Sequence, residues 1–174
     1  MRILANDGIS EDGKFILENA GYVVSTQKAP QDQLIEVINE QGFEILIVRS
    51  ATKVTEEVLD ACPGLKLVVR AGVGLDNVDV LAAEKNGIKV ANTPASSSQS
   101  VAELVMGHMF ALARGVHDSA RNLGYDDFNH LKKKYSSGVE LRGKTLGIIG
   151  FGRIGKALAS YAFGIGMDVL AFDI

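Results

Sequence analysis

Two groups of residues in this 174-residue chain have the types and spacing to do chemistry. The first is Gly150-Phe151-Gly152-Arg153-Ile154-Gly155, with Asp173 following 18 residues after Gly155. An apolar run precedes the glycines, a helical pattern follows, and a second apolar run leads to the acid. That order is the dinucleotide fingerprint, in which an acid stands ~20 residues downstream. Gly150 permits the tight turn. Gly152 lets a pyrophosphate approach the backbone, and Gly155 lets the helix pack on the strand. The helix N-terminus offers unpaired N–H groups to the phosphates, and Arg153 can add a cation. Asp173 would accept hydrogen bonds from ribose hydroxyls and repel a 2′-phosphate, which favours NAD over NADP. The alternative is a glycine-rich turn without a ligand.

The second group is Arg49 and Arg70, each placed directly after an apolar run. If those runs are parallel strands, both arginines emerge at the carboxyl edge, where open α/β sheets bind ligands. Arg70 continues into Ala71-Gly72-Val73-Gly74, whose backbone can come close to a small ligand. Two guanidinium groups beside exposed N–H groups suit a carboxylate or phosphate. The alternative pairs each arginine with a nearby acid, Asp76 or Asp79, or leaves it in solvent.

The remaining reactive residues read as structural. His108 lies among apolar helix residues and reads as packing. His117 reads as a helix-end residue, where an imidazolium suits the dipole. His130 sits in a polar segment. Cys62 precedes Pro63 and reads as an inert, partly buried thiol. Lys132-Lys133-Lys134 reads as a solvated face.

The elements that must hold these groups alternate. Strands are expected at Ile3–Ala5, Tyr22–Ser25, Ile45–Val48, Leu67–Val69 and Ile88–Ala91. Helices are expected at Glu11–Ala20 after Ser10, Gln31–Gln41 before Gly42, Glu56–Cys62 after Thr55, and Val80–Asn86 after Asp79. This alternation implies a parallel sheet with helices on both faces. A break at 92–98 precedes the longest helix, about Ser98 to His117. Its stripe is Val101, Leu104, Val105, Met109, Leu112 and Val116. A polar segment runs from Asp118 to Gly143. Thr145–Ile149, a helix over Lys156–Phe163 and Met167–Phe172 complete a βαβ unit.

Composition narrows the class. Net charge is −3 and the charged fraction 22%, which excludes nucleic-acid binding driven by bulk charge. An apolar fraction of 47% fits a folded globular protein. One cysteine excludes an intramolecular disulfide and fits a reducing, cytoplasmic compartment. No run approaches the ~18 apolar residues of a membrane helix, and the first residues lack a signal-peptide core.

Taken together, Val48–Thr55, Val69–Asp79, Asn92-Thr93-Pro94, Ser100–Leu104 and Gly147–Gly155 resemble the D-2-hydroxyacid dehydrogenases, and among them the phosphoglycerate branch. The resemblance covers nearly the whole chain, with motifs in family order. It implies a flavodoxin-like substrate-binding domain over 1–95. Over 96–174 it implies a dimerisation helix and the first βαβ of a Rossmann NAD-binding domain. The implied activity is NAD-dependent oxidation of 3-phosphoglycerate to 3-phosphohydroxypyruvate, the first step of serine synthesis. Hydroxypyruvate or glyoxylate reduction, or a non-catalytic anion-binding dimer module, are the alternatives.

By motif match, Arg49, Ser50, Arg70 and the Gly72 N–H would hold the substrate, with Ser97 where the family often carries asparagine. Val73 stands where a threonine often lies near the cofactor, so only a backbone contact carries over. Gly150, Gly152, Arg153, Ile154, Gly155 and Asp173 would bind NAD. The family's arginine, acid and histidine for hydride transfer lie beyond Asp173. The resemblance therefore implies an N-terminal piece of a longer enzyme, with no catalytic residue in this chain and no activity alone. A small anionic 2-hydroxy or 2-keto acid and a second copy of the chain are the implied partners; no metal is.

Overall fold

Five of the apolar runs pair into one parallel sheet: β1 (Arg2–Ala5), β2 (Val23–Ser25), β3 (Ile45–Val48), β4 (Leu67–Arg70) and β5 (Lys89–Asn92). Their order is β2-β1-β3-β4-β5, the flavodoxin-like doubly wound arrangement. The computed structural model describes residues 1–122 and 128–174. The chain divides into two units, Met1–Pro94 and Ala95–Ile174.

In the first unit, polar side chains start the helices as the sequence suggests. Ser10 Oγ accepts from Gly13 N–H at 3.1 Å and starts α1 (Glu11–Asn19). Thr55 and Asp79 do the same for α3 (Glu56–Ala61) and α4 (Val80–Lys85). Such caps satisfy N–H groups that have no partner within the helix. α2 (Leu34–Gln41) ends at Gly42, which takes the left-handed conformation. It begins three residues later than expected, because residues 31–33 form turns. Gln31 instead turns its side chain to the backbone of Lys53, donating to the carbonyl at 2.8 Å and accepting from the N–H at 2.9 Å.

The larger core cluster lies on one face of the sheet, while Ile3, Ala5 and Ile45 are buried on the other. Leu4, Leu46, Val48 and Val68 pack with Leu34 and Ile38 of α2, Val58 and Leu59 of α3, and Ala82 and Ala83 of α4. Alternation sends Ile47 and Val69 to the other face, where they are only half-buried. α1 buries no residue, and Phe15 and Ile16 are exposed. The expected parallel α/β sheet is therefore present, with its second face covered less fully than its first. Cys62 is fully buried rather than partly so, and burial pushes its thiol up to about 11.

The second unit holds α5 (Ser98–Arg114), α6 (Val116–Asn122), α7 (Phe128–Tyr135), β6 (Thr145–Ile149), α8 (Arg153–Gly164) and β7 (Asp168–Phe172). Gly115, at φ +64°, ends α5 before the expected His117. His117 consequently falls in the first turn of α6 instead of at a helix C-terminus. The packed stripe of α5 is Ala102, Val105, Met106 and Met109, set against Leu158 and Ala159 of α8. This is strict i, i+3, i+4, i+7 spacing. Leu104 and Leu112 are 60% and 81% exposed. Choosing the larger side chains rotated the expected stripe away from Ala102, whose small size lets the helices approach. The same rotation leaves His108 exposed instead of packed.

The polar segment contains a helix, α7, that lysine composition obscures. Lys134 and the Tyr135 hydroxyl both reach the Asp118 carboxylate of α6, so one of the three lysines has a partner. Residues 123–127 of that segment lie outside the described residues. β6 and β7 pair in parallel, with Ile149, Leu170 and Phe172 largely exposed. Among the described residues no helix is long and apolar enough to cross a membrane, and no cluster of His, Cys, Asp and Glu could hold a metal ion.

Candidate anion and dinucleotide sites

The anion residues converge at the carboxyl edge of the first unit's sheet. Arg70 is the last residue of β4 and pairs with Val48 across the register, so Arg49 follows directly beside it. Among the described residues neither arginine forms an ion pair. The acids that could have neutralised them are otherwise placed. Asp79 caps α4 at 3.0 Å, and Asp76 curls against Gly74. The Arg70 Nε is buried without a hydrogen-bond partner, and a buried donor left unpaired is costly. A ligand oxygen would satisfy it.

The glycine loop after Arg70 is shaped by that side chain. A Cβ on Gly72 would stand 1.5 Å from Arg70 Nη1. The guanidinium therefore folds back over a residue with no side chain to block it. The Gly72 N–H, expected to face a ligand carboxylate, here donates to Arg70 O at 2.9 Å, and Ala71 N–H donates to Val48 O at 2.8 Å. Two further bonds hold the loop. Thr93 N–H donates to Gly72 O at 2.9 Å, and Asn92 Nδ2 donates to Val73 O at 2.7 Å. Val73 itself is about half exposed. A cavity of about 480 Å³ opens beside Ser50, Lys53, Asp76 and Asn77.

Sequence reading passed over the residues that fix the Arg49 loop. Asp7 stands just past β1 at the same sheet edge. Its carboxylate accepts from Arg49 N–H at 2.7 Å, Thr52 N–H at 3.1 Å and the Thr52 hydroxyl at 2.7 Å. Burial alone would raise the Asp7 carboxyl. The Thr52 hydroxyl and the N–H groups of Arg49, Thr52 and Ala51 outweigh it and hold the group below its ordinary value. Asn77 donates to the Arg49 and Thr52 carbonyls at 2.9 and 2.7 Å. The strand-edge rule that singled out the arginines applies equally to Asn6-Asp7.

The second unit carries the glycine turn. Gly150 sits at φ +93°, a conformation that side chains rarely allow. Its N–H donates to Phe172 O at 2.8 Å, which brings the turn beside the end of β7 and Asp173. A Cβ on Gly155 would meet Gly150 O at 2.4 Å, so α8 can start here only with glycine. α8 begins at Arg153 instead of Lys156 because the last glycine belongs to its first turn. Gly152 is the N-cap, has no side-chain cap, and leaves open space where a Cβ would project. An uncapped helix N-terminus facing open space suits a dinucleotide phosphate. Asp173 and Arg153 are exposed, and Ile154 is 37% exposed. Ser97 precedes α5, its carbonyl accepting from Val101 N–H and the Ser100 hydroxyl, each at 3.0 Å.

Residues 3–134 match the D-isomer specific 2-hydroxyacid dehydrogenase catalytic domain, and residues 106–174 match the NAD binding domain of the same family. The chain belongs to the D-isomer specific 2-hydroxyacid dehydrogenases. It is 43% identical to a hydroxypyruvate reductase of Thermotoga maritima over 99% of its own length and 55% of that protein's. It is 42% identical to a D-3-phosphoglycerate dehydrogenase of Methanocaldococcus jannaschii over 99% of its length and 32% of the relative's. The NAD+-bound 3-phosphoglycerate dehydrogenase of Entamoeba histolytica superposes with a TM-score of 0.75 at 33% identity, covering 99% of this chain and 54% of that one. The chain thus spans a third to a half of the length of these relatives. Within this family the glycine turn is that of an NAD-binding domain, and the strand-edge arginines lie in the domain called catalytic.

Proposed function

We propose that this chain carries the substrate site and the start of the NAD site of an enzyme that oxidises 3-phosphoglycerate to 3-phosphohydroxypyruvate. The carrying observation is the pair of arginines at adjacent strand ends that, among the described residues, form no ion pair, one with a buried Nε lacking an acceptor. A ligand with two anionic ends matches two such cations. Arg49 and Arg70 bind and orient those ends, one on the phosphate and one on the carboxylate. Ser50 adds a hydroxyl, and the glycine loop holds Arg70 in place. Ser97 is a further polar group for the substrate, and the Val73 backbone a contact for the cofactor.

Gly150, Gly152 and Gly155 leave room for the pyrophosphate at the start of α8, where the N–H groups of Arg153 and Ile154 meet it. Asp173 accepts from the ribose hydroxyls and excludes a 2′-phosphate. When bound, NAD supplies the hydride acceptor. On this reading none of these residues takes the hydroxyl proton: His108 and His117 are exposed helix residues. On this reading the enzyme is cytoplasmic and homodimeric and serves serine synthesis, and the 174 residues alone are inactive.

The test is binding and turnover by the 174-residue chain. Saturable binding of 3-phosphoglycerate, weaker binding of glycerate, and no NADH oxidation with 3-phosphohydroxypyruvate are expected. Equal affinity for the unphosphorylated acid would move the assignment to a hydroxypyruvate or glyoxylate reductase, the reading favoured by the Thermotoga relative. Turnover would show that a proton donor lies within these residues.

A further inference from the structure

The loop that carries Arg49 is bonded along its backbone by side chains from three other segments. Asp7 takes the N–H groups of Arg49 and Thr52 on one oxygen and the Thr52 hydroxyl on the other. Asn77 holds the carbonyls of Arg49 and Thr52. Gln31 holds both backbone groups of Lys53. Asn6, 2% exposed, donates to Thr52 Oγ1 at 2.9 Å and is itself fixed by Ala29 from both sides.

A carboxylate beside an anion site is electrostatically unfavourable for the anion. Asp7 is arranged to limit that cost. Both oxygens are committed to loop donors, and the carboxylate takes the Arg49 backbone N–H and makes no ion pair with its guanidinium. The cation stays available to a ligand while its backbone is fixed. Asn77 complements this from the other side, since it donates only to carbonyls. N–H and C=O groups of one turn are thereby held by separate, chemically matched partners.

We propose that Asp7 is a positioning residue of the anion site, setting the Arg49–Thr52 turn so that Arg49 and Ser50 are presented preorganised to the ligand. The inference rests on the reading of Arg49 as an anion ligand. Loss of the clamp leaves the guanidinium in place chemically but lets its backbone wander, so binding must first order the loop.

The experiment is NMR titration of the 174-residue chain with 3-phosphoglycerate, for the native sequence and for Asp7→Asn and Asp7→Glu. Asn substitutes an NH2 for one accepting oxygen, so donor meets donor at one position. Expected are a loss of affinity of about tenfold or more in Asp7→Asn and partial recovery in Asp7→Glu, the usual scale for charge-assisted bonds. The Arg49 and Thr52 amide protons should move upfield in Asp7→Asn while resonances of β3, β4 and α4 stay in place. Native-like affinity in Asp7→Asn together with the upfield shifts would overturn the positioning role. No saturable shift in the native chain would instead overturn the anion site itself, and the positioning role with it. If Asp7→Asn does not fold, Thr52→Val removes one bond to Asp7. A several-fold weaker affinity supports the role, and unchanged affinity overturns it.

Discussion

The two units shape their candidate sites by opposite means. In the first, the Arg49 loop is set by added groups: Asp7, Gln31, Asn77 and Asn6 supply hydrogen bonds that fix a turn. In the second, the turn before α8 is set by missing groups: a Cβ at Gly155 would strike the Gly150 carbonyl, and the space at Gly152 stays open. A clamp built from several hydrogen bonds degrades in steps, each bond being worth about 0.5–1.5 kcal/mol, or more when charged. A turn built from steric allowance fails at once, because backbone atoms facing a new Cβ have nowhere to go.

The sharpest way to break the comparison is Gly155→Val. The added side chain meets backbone, so the β6–α8 turn must move. We expect NADH binding to be lost and the second unit to be destabilised by about 1–3 kcal/mol or more, while the first unit's amide resonances hold still. Retained NADH binding would show that the turn is looser than its geometry. Next comes Asp173→Ala, which removes the proposed ribose acceptor. NADH affinity should fall about tenfold, the size of one charge-assisted hydrogen bond, and the discrimination against NADPH should narrow. Unchanged affinities for both cofactors would remove Asp173 from the site.

Gly72→Ala sharpens the contrast from inside the first unit. Here too a Cβ collides, but with the far end of Arg70. A flexible guanidinium can swing aside, and Gly72 has no positive φ to protect. Stability should change by no more than about 0.5 kcal/mol. Anion affinity should drop several-fold because Arg70 loses its resting place. A large stability loss with intact affinity would mean that Gly72 serves the fold and not the site.

The same division explains what could be read from the residues alone. Glycine turns and strand-end arginines are local patterns, and apolar runs with Ser10, Thr55 and Asp79 as caps mark most elements to within a residue or two. Asp7, Thr52 and Asn77 are invisible to such reading because their meaning is a contact across 42 to 45 positions, or 25 to 28 for Asn77. The α5 stripe is only partly legible for a different reason. Val105 and Met109 pack as their spacing suggests, but the small Ala102 is buried while the larger Leu104 and Leu112 stay outside. Gly115 divides α5 from α6 within a continuous apolar pattern, which periodicity alone cannot see.

The smallest expected effect is in acid. Asp7 titrates below its ordinary value because the loop donors favour its charged form. A group with a depressed folded value stabilises the fold above its unfolded value, near 3.9, and loses that contribution as pH falls through the folded one. Among the described residues the Asp7 carboxylate makes no ion pair, so its bonds to the loop are to N–H and O–H donors alone. The first unit should therefore loosen at the Arg49–Thr52 turn below about pH 4, before the sheet itself unfolds. Amide exchange at Arg49 and Thr52 followed from pH 6 downward should rise in the native chain and be flat in Asp7→Asn, after allowance for intrinsic exchange rates. In the second unit no carboxylate among the described residues accepts a hydrogen bond from the glycine turn: Gly150 N–H donates to Phe172 O, and Asp173 beside it accepts from Ile174 N–H. The turn's protection should hold over the same range, so parallel loss in both units would show that the clamp is not what acid releases.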